Sequence, residues 1–227
     1  MVGAFAAEVR IVGRADACRV PDAAVVAETR RLLPAFGALG AESRLPLVDL
    51  AIPALRELTH AQYAAFRRNV AALVAADEKI NLFEWTLQRI LLHHLAPGFE
   101  SVQARRVRYS SLASVAGSCS VVLSLLAHAG GRTESAARQA FASGAAELSE
   151  ISATFLTADR CDLAAFDAAL DALAALAAPL QGRVLHACAV CISADREVNV
   201  LEAELIRATS DTLGCPMPPL LPGQPLV

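Results

Sequence analysis

The chain of 227 residues has no run of about 20 apolar residues, although 55% of its side chains are hydrophobic. The longest apolar stretch, Leu112 to Ala129, is interrupted by four serines and by His128. This pattern indicates a buried core helix, and we expect that the segment does not span a membrane. The N-terminus has no basic start, and Glu8 and Arg10 interrupt its apolar stretch. We therefore expect no signal peptide and a cytoplasmic location.

Catalytic motifs are also missing from the sequence. Its five histidines never form the His-Glu-x-x-His spacing of zinc peptidases, and Gly130-Gly131 has no flanking Lys and Ser or Thr of a phosphate loop. Cys188 and Cys191 form a Cys-x-x-Cys that could bind zinc or be oxidised, but the segment is apolar and has no second ligand pair. We predict buried thiols there, no catalytic residue in the chain and no cofactor other than a possible divalent cation.

The charge balance gives little support to nucleic-acid binding. The formal net charge is −3 and the pI is about 6.0, so the chain has no overall positive field to attract phosphates. One dense basic run contains Arg105, Arg106 and Arg108. It is interpreted as a solvated linker, with contact to an acidic protein partner as the functional alternative.

Helical periodicity dominates the chain, and no stretch alternates as a strand does. The sequence predicts an all-α bundle of about nine helices, with an N-terminal segment over 1–20, a helical domain over 21–214 and a Pro-rich tail over 215–227. Within the domain we expect two halves, 21–98 and 131–214, joined by a connector over 99–130. Pro97 and Gly98 are expected to end the helix that begins after Asn81. The helix over about 43–58 places Leu47, Leu50 and Leu55 at helical spacing.

Two distant segments match each other. Ala76 to Glu84 reads ADEKINLFE, and Ala194 to Glu202 reads ADREVNVLE, at an offset of 118 positions. Each copy follows an apolar helix and opens an amphipathic one, so the match predicts a duplicated helix-turn-helix motif.

The chemistry of this motif allows two interpretations. Asn followed three residues later by Glu is a capping box, which bonds free amides at a helix start, and Ile80 and Val198 would be buried anchors. Alternatively, oxygen ligands gathered in one turn could bind a divalent cation. The candidate cation ligands are Asp77, Asn81 and Glu84 in the first copy, and Asp195, Glu197, Asn199 and Glu202 in the second. We favour capping, because Lys79 stands where a ligand would be expected.

At these residues the sequence resembles the TerB-like helical domains known from tellurite-resistance proteins. Their repeated signature is an apolar helix, Ala-Asp-Gly, a hydrophobic residue and a Glu-bearing helix. Here Glu78 and Arg196 replace the glycine. The resemblance implies an all-α fold, and the two replacements argue against carrying over a metal site.

A longer resemblance is to the C-terminal region of bacterial membrane zinc metallopeptidases of the HtpX and CAAX-prenyl-protease kind. The matching stretches are 44–55, 58–70, 75–95 and 188–221, the last including Leu213-Gly214-Cys215-Pro216-Met217-Pro218-Pro219. The resemblance implies an extramembrane, non-catalytic module, tethered to the inner membrane through its parent protein. Its expected partner is a protein, with the protease domain of the same parent chain as one candidate.

Overall fold

A computed structural model describes residues 23–75, 82–101, 106–131 and 133–217. Within these ranges the protein is all-α, with nine α-helices and three short 3₁₀ turns, and the pairing of Tyr109 with Leu176 is an isolated bridge. The chain divides into two compact units, 1–99 and 100–227. The predicted all-α fold is confirmed.

The first unit contains four helices. They are α1 (Ala23–Gly37), α2 (Arg44–Arg56), α3 (His60–Ala75) and α4 (Leu82–Phe99). Helix α4 packs against both α2 and α3. Thr59 caps α3, because its hydroxyl accepts a hydrogen bond from Gln62 N at 3.3 Å while Gln62 Oε1 accepts one from Thr59 N at 2.8 Å.

Two expectations about this unit are wrong. Helix α4 is not ended by Pro97 and Gly98 but continues through both of them to Phe99. The Phe99 ring stacks on Tyr63 of α3 with centroids 4.4 Å apart, and this packing holds the last turn in place despite the proline. In α2 the buried side chains are Val48 and Ile52, whereas Leu50 is 76% exposed. The face that meets α4 is therefore displaced from the apolar face inferred from spacing.

The second unit contains five helices. They are α5 (Ala116–Gly130), α6 (Glu134–Ala146), α7 (Leu163–Ala174), α8 (Ala178–Ile192) and α9 (Val200–Leu213). Helix α5 packs against all four of the others. The stretch 99–130, expected as a connector, therefore contains the central helix of this unit, Ala116–Gly130.

Leu112–Gly130, a 3₁₀ turn followed by α5, is the one helical stretch of the described residues that is long and apolar enough to cross a membrane. Half of its most apolar window is buried inside the protein. Its polar side chains bind an extended segment, 152–157. Ser120 Oγ accepts from Thr154 N and Ser124 Oγ accepts from Leu156 N, both at 2.9 Å, and His128 Nε2 lies 2.8 Å from the Leu156 carbonyl. Three of the five polar residues that interrupt the apolar run are thus paired with this segment.

Helices α6 and α8 approach closely at Gly144. A Cβ added there would lie 2.7 Å from the Ala187 carbonyl oxygen and 2.8 Å from Cys191 Cβ. Gly182 in α8 offers a contrast, because a Cβ there would meet nothing within 4 Å. Packing therefore requires glycine at position 144, whereas Gly182 only weakens its helix.

We expect Gly144→Ala to destabilise the protein by about 1–3 kcal/mol, since the new methyl group must separate two packed backbones. Gly182→Ala should stabilise it by about 0.5–1 kcal/mol, because alanine lowers the entropy that the helix loses on folding. Chemical denaturation of both variants measures the two changes. Equal effects would show that the α6–α8 approach is not constrained at Gly144.

Candidate functional site

The candidate site is the turn between α8 and α9, which holds the second copy of the repeated motif. Asn199 is the N-cap of α9, and its side chain accepts a hydrogen bond from Glu202 N at 3.0 Å. The Glu202 carboxylate accepts one from Asn199 N at 2.9 Å. This is the reciprocal capping box that the sequence predicts, and it begins a helix that runs from Val200 to Leu213.

The same turn is joined to the end of α5. Asn199 Nδ2 donates to the Ala129 carbonyl oxygen at 3.2 Å, across 70 positions of sequence. A Cβ on Gly130 would overlap Glu202 Oε1, so only glycine allows the carboxyl group to lie this close to the helix end. Sequence reasoning considered Gly130 only as part of a phosphate loop and missed this contact. A glycine at the predicted end of a core helix was the available signal.

Glu202 is almost fully buried, with 3% of its surface exposed. Burial, and secondarily the negative charge of Asp195, raise the pKa of Glu202 to about 7, against the lowering effect of the hydrogen bond from Asn199 N. Burial also raises the pKa of Cys191 in α8 to about 12, with a further contribution from Glu202. The second acidic turn therefore contains a carboxyl group that the protein holds away from solvent.

The remaining residues of this turn shape its backbone. Asp195 Oδ1 accepts a hydrogen bond from Glu197 N at 3.1 Å, and both of these side chains lie at the surface. Val198 is buried, as predicted for the anchor. Arg196 adopts a φ of +66°, the left-handed conformation that favours glycine. It stands at the position where the TerB-like signature has glycine.

Arg196→Gly should stabilise the protein by about 0.5–1 kcal/mol, because glycine adopts the left-handed backbone without the clash of a Cβ. Arg196→Ala retains that clash and should give no gain. Melting temperatures of both variants against the parent chain provide the comparison. If alanine stabilised as much as glycine, the left-handed conformation would not be the cause.

The first copy of the motif is described only in part. Asp77 and Asn81 lie outside the described residues, and Glu84 is half-buried in the first turn of α4. Each copy falls between two helices, and α4 begins directly after Asn81 as α9 begins after Asn199. The duplication itself remains a prediction.

In the described parts of the chain, no group of three or more His, Cys, Asp or Glu side chains is arranged to hold a metal ion. The oxygens of Asp195 and Asn199, and one of Glu202, accept backbone hydrogen bonds. This geometry supports the capping interpretation of the second copy.

The capping interpretation predicts that millimolar calcium leaves the melting temperature unchanged. A cation that bound only the folded turn would raise it, because binding to the native state alone stabilises that state. Thermal melting with calcium, and with chelator as the control, separates the two interpretations. A concentration-dependent increase would support the cation hypothesis instead.

The Cys-x-x-Cys pair lies inside α8, and both thiols are buried as predicted. Cys191 Sγ donates to the Leu123 carbonyl oxygen at 3.6 Å. Burial raises the pKa of Cys188 well above its ordinary value, and that of Cys119 in α5 to about 11. These thiols are held in their protonated form, which is a poor nucleophile.

The basic run lies elsewhere in the second unit. Arg105 is outside the described residues, whereas Arg106 and Arg108 are both exposed. The end of this run, Arg108 and the following Tyr109, is held by backbone hydrogen bonds to the α7–α8 connection. Arg108 N and Tyr109 N donate to the Ala175 carbonyl oxygen at 2.8 and 3.2 Å, and Ala177 N donates to the Tyr109 carbonyl oxygen at 2.9 Å.

Comparison of the chain with protein-family models, with curated proteins and with solved structures finds no match. The functional proposal therefore depends on the geometry and on the sequence motifs.

Proposed function

We propose that this chain is a non-catalytic protein-interaction module that contacts an acidic surface of its partner through residues 106–108, hereafter the basic segment. The observation that carries the proposal is the combination of exposed side chains and a backbone anchored at Arg108. Arg106 and Arg108 flank Val107, which is 63% exposed. Among the described residues of the second unit, Val107 is the only large hydrophobic side chain exposed to this degree.

This combination suits protein recognition. Guanidinium groups steer an acidic partner and form paired hydrogen bonds with carboxylates, and an apolar side chain between them adds contact area. The hydrogen bonds to Ala175 and Ala177 order the backbone before binding, so less entropy is lost when the partner docks. The net charge of −3 argues against nucleic acid as the partner, because the chain has no overall positive field to attract phosphates.

The parentage of the module is a further part of the proposal. We propose a TerB-like bundle from the cytoplasmic C-terminal region of a bacterial membrane zinc metallopeptidase, with the protease domain of the same parent as the partner. The left-handed Arg196 supports the TerB-like resemblance, because that conformation explains why a glycine occupies this position in the signature. The resemblance over 44–55 and 188–221 supports the metallopeptidase context.

The test reverses the charge of the basic segment. We expect Arg106→Glu/Arg108→Glu to weaken binding to the protease part of the parent polypeptide about 10-fold or more, since attraction to an acidic surface becomes repulsion. Crosslinking and equilibrium binding at two salt concentrations measure this effect. The unfolding midpoint of the variant should stay unchanged.

A matched control is Arg160→Glu/Arg196→Glu, which alters two exposed arginines of the same unit by the same total charge. It should bind as the parent chain does. Equal losses in both double variants would show a general charge effect. A reading frame that encodes no membrane protease upstream of Met1, or no contact between the two parts, would contradict the proposed parentage.

A further inference from the structure

The end of α5 and the start of α9 are joined through a single buried acid. Asn199 bonds the Ala129 carbonyl oxygen with its amide group and caps α9 with its side-chain oxygen. Glu202 completes the capping box with its carboxyl group, which lies against Gly130. The three side-chain hydrogen bonds and the close approach at Gly130 form one unit, hereafter the α5–α9 joint.

Two opposing electrostatic effects act on the carboxyl group of Glu202. As the third residue of α9 it lies at the positive end of its own helix dipole, which favours a carboxylate. It also lies against the last turn of α5, where the carbonyl groups and the negative end of that helix disfavour one. Burial adds to the cost of the ionised form.

We propose that the α5–α9 joint is a proton-controlled latch: protonated Glu202 keeps the 193–199 turn docked on α5, and its ionisation releases the turn and the first turn of α9. Release lets the carboxylate reach water, which the docked geometry prevents. The device requires the glycine, because any larger residue at position 130 would exclude the carboxyl group.

Each helix that packs against the α5–α9 joint contributes titratable groups. The Cys191 thiol faces Glu202 from α8, and Asp195 acts on it from the turn. Helix α5 contributes His128, which is bonded to the Leu156 carbonyl oxygen. Helix α7, which also packs on α9, carries Asp167 and the exposed Asp171. The negative charge of Asp195 contributes to the raised pKa of Glu202 and so favours the protonated form that keeps the turn docked.

The sign of the pH effect follows from linkage. An acid with a pKa near 7 when docked and near 4.5 when released holds more protons in the docked state, so release becomes easier as pH rises. The effect grows between these two values and levels off above the higher one. Between pH 6 and pH 8 the released fraction should rise about 10-fold.

Hydrogen exchange of the full chain tests the latch at its own amides. We expect the protection factors of the Glu202 and Ala203 amides, after correction for the intrinsic rate, to fall about 10-fold from pH 6 to pH 8. Glu202→Gln retains the capping box, because glutamine accepts the same bond, but it cannot ionise. In that variant the protection factors should not change with pH.

The internal reference is the Ala136 amide, which donates a hydrogen bond to the neutral Thr133 hydroxyl at the start of α6. The protection factor of the Ala136 amide should not change with the ionisation of Glu202. The proposal fails if the Gln variant keeps the full pH dependence of the parent chain, or if all amides of the second unit lose protection together. A direct carbon-13 titration of the Glu202 carboxyl in the parent chain adds a test that needs no variant. A midpoint near 7 supports the latch, and a midpoint near 4.5 overturns it.

Discussion

The second unit depends on the burial of one helix, α5, against four others. A buried helix can carry polar side chains only if each finds a partner inside the protein. Ser120, Ser124 and His128 recur every four residues and so share one face, where they bind the extended segment 152–157. The serines are therefore part of the core. The interrupted apolar run that argues against a membrane span is also the surface on which this loop is built.

The end of α5 and the start of α9 likewise satisfy their polar groups within the protein. A helix start leaves amides without partners, and a helix end leaves carbonyls. Asn199 satisfies one of each, through Glu202 N and the Ala129 carbonyl oxygen. The repeated acidic motif thus has a structural use that explains its Asn and Glu without a ligand. Capping alone does not require Glu202 to be buried, because a capping box works equally well at the surface. The burial of Glu202 is therefore the observation that leads to the latch.

Local signals predict most of the helices, whereas nonlocal contacts account for the errors. The limits of α9 could be read from the sequence because Asn199 begins it and the left-handed Gly214 ends it, both through bonds to near neighbours. The extension of α4 past Pro97 depends on a ring in another helix. The central place of α5 depends on packing partners that periodicity cannot identify. Likewise the capping box was visible in the pattern, but the contact with Gly130, about 70 residues away, was not.

The two surfaces that carry the proposals are built in opposite ways, and the difference indicates which one is available to a partner. In the acidic turn the side-chain oxygens of Asp195, Asn199 and Glu202 bond the protein itself. In the basic segment the hydrogen bond described is made by the backbone of Arg108, and the Arg106 and Arg108 side chains are exposed. Side chains that stability does not require can be selected for contact alone. Substitutions there should change binding and leave folding intact, whereas substitutions in the acidic turn should change folding first.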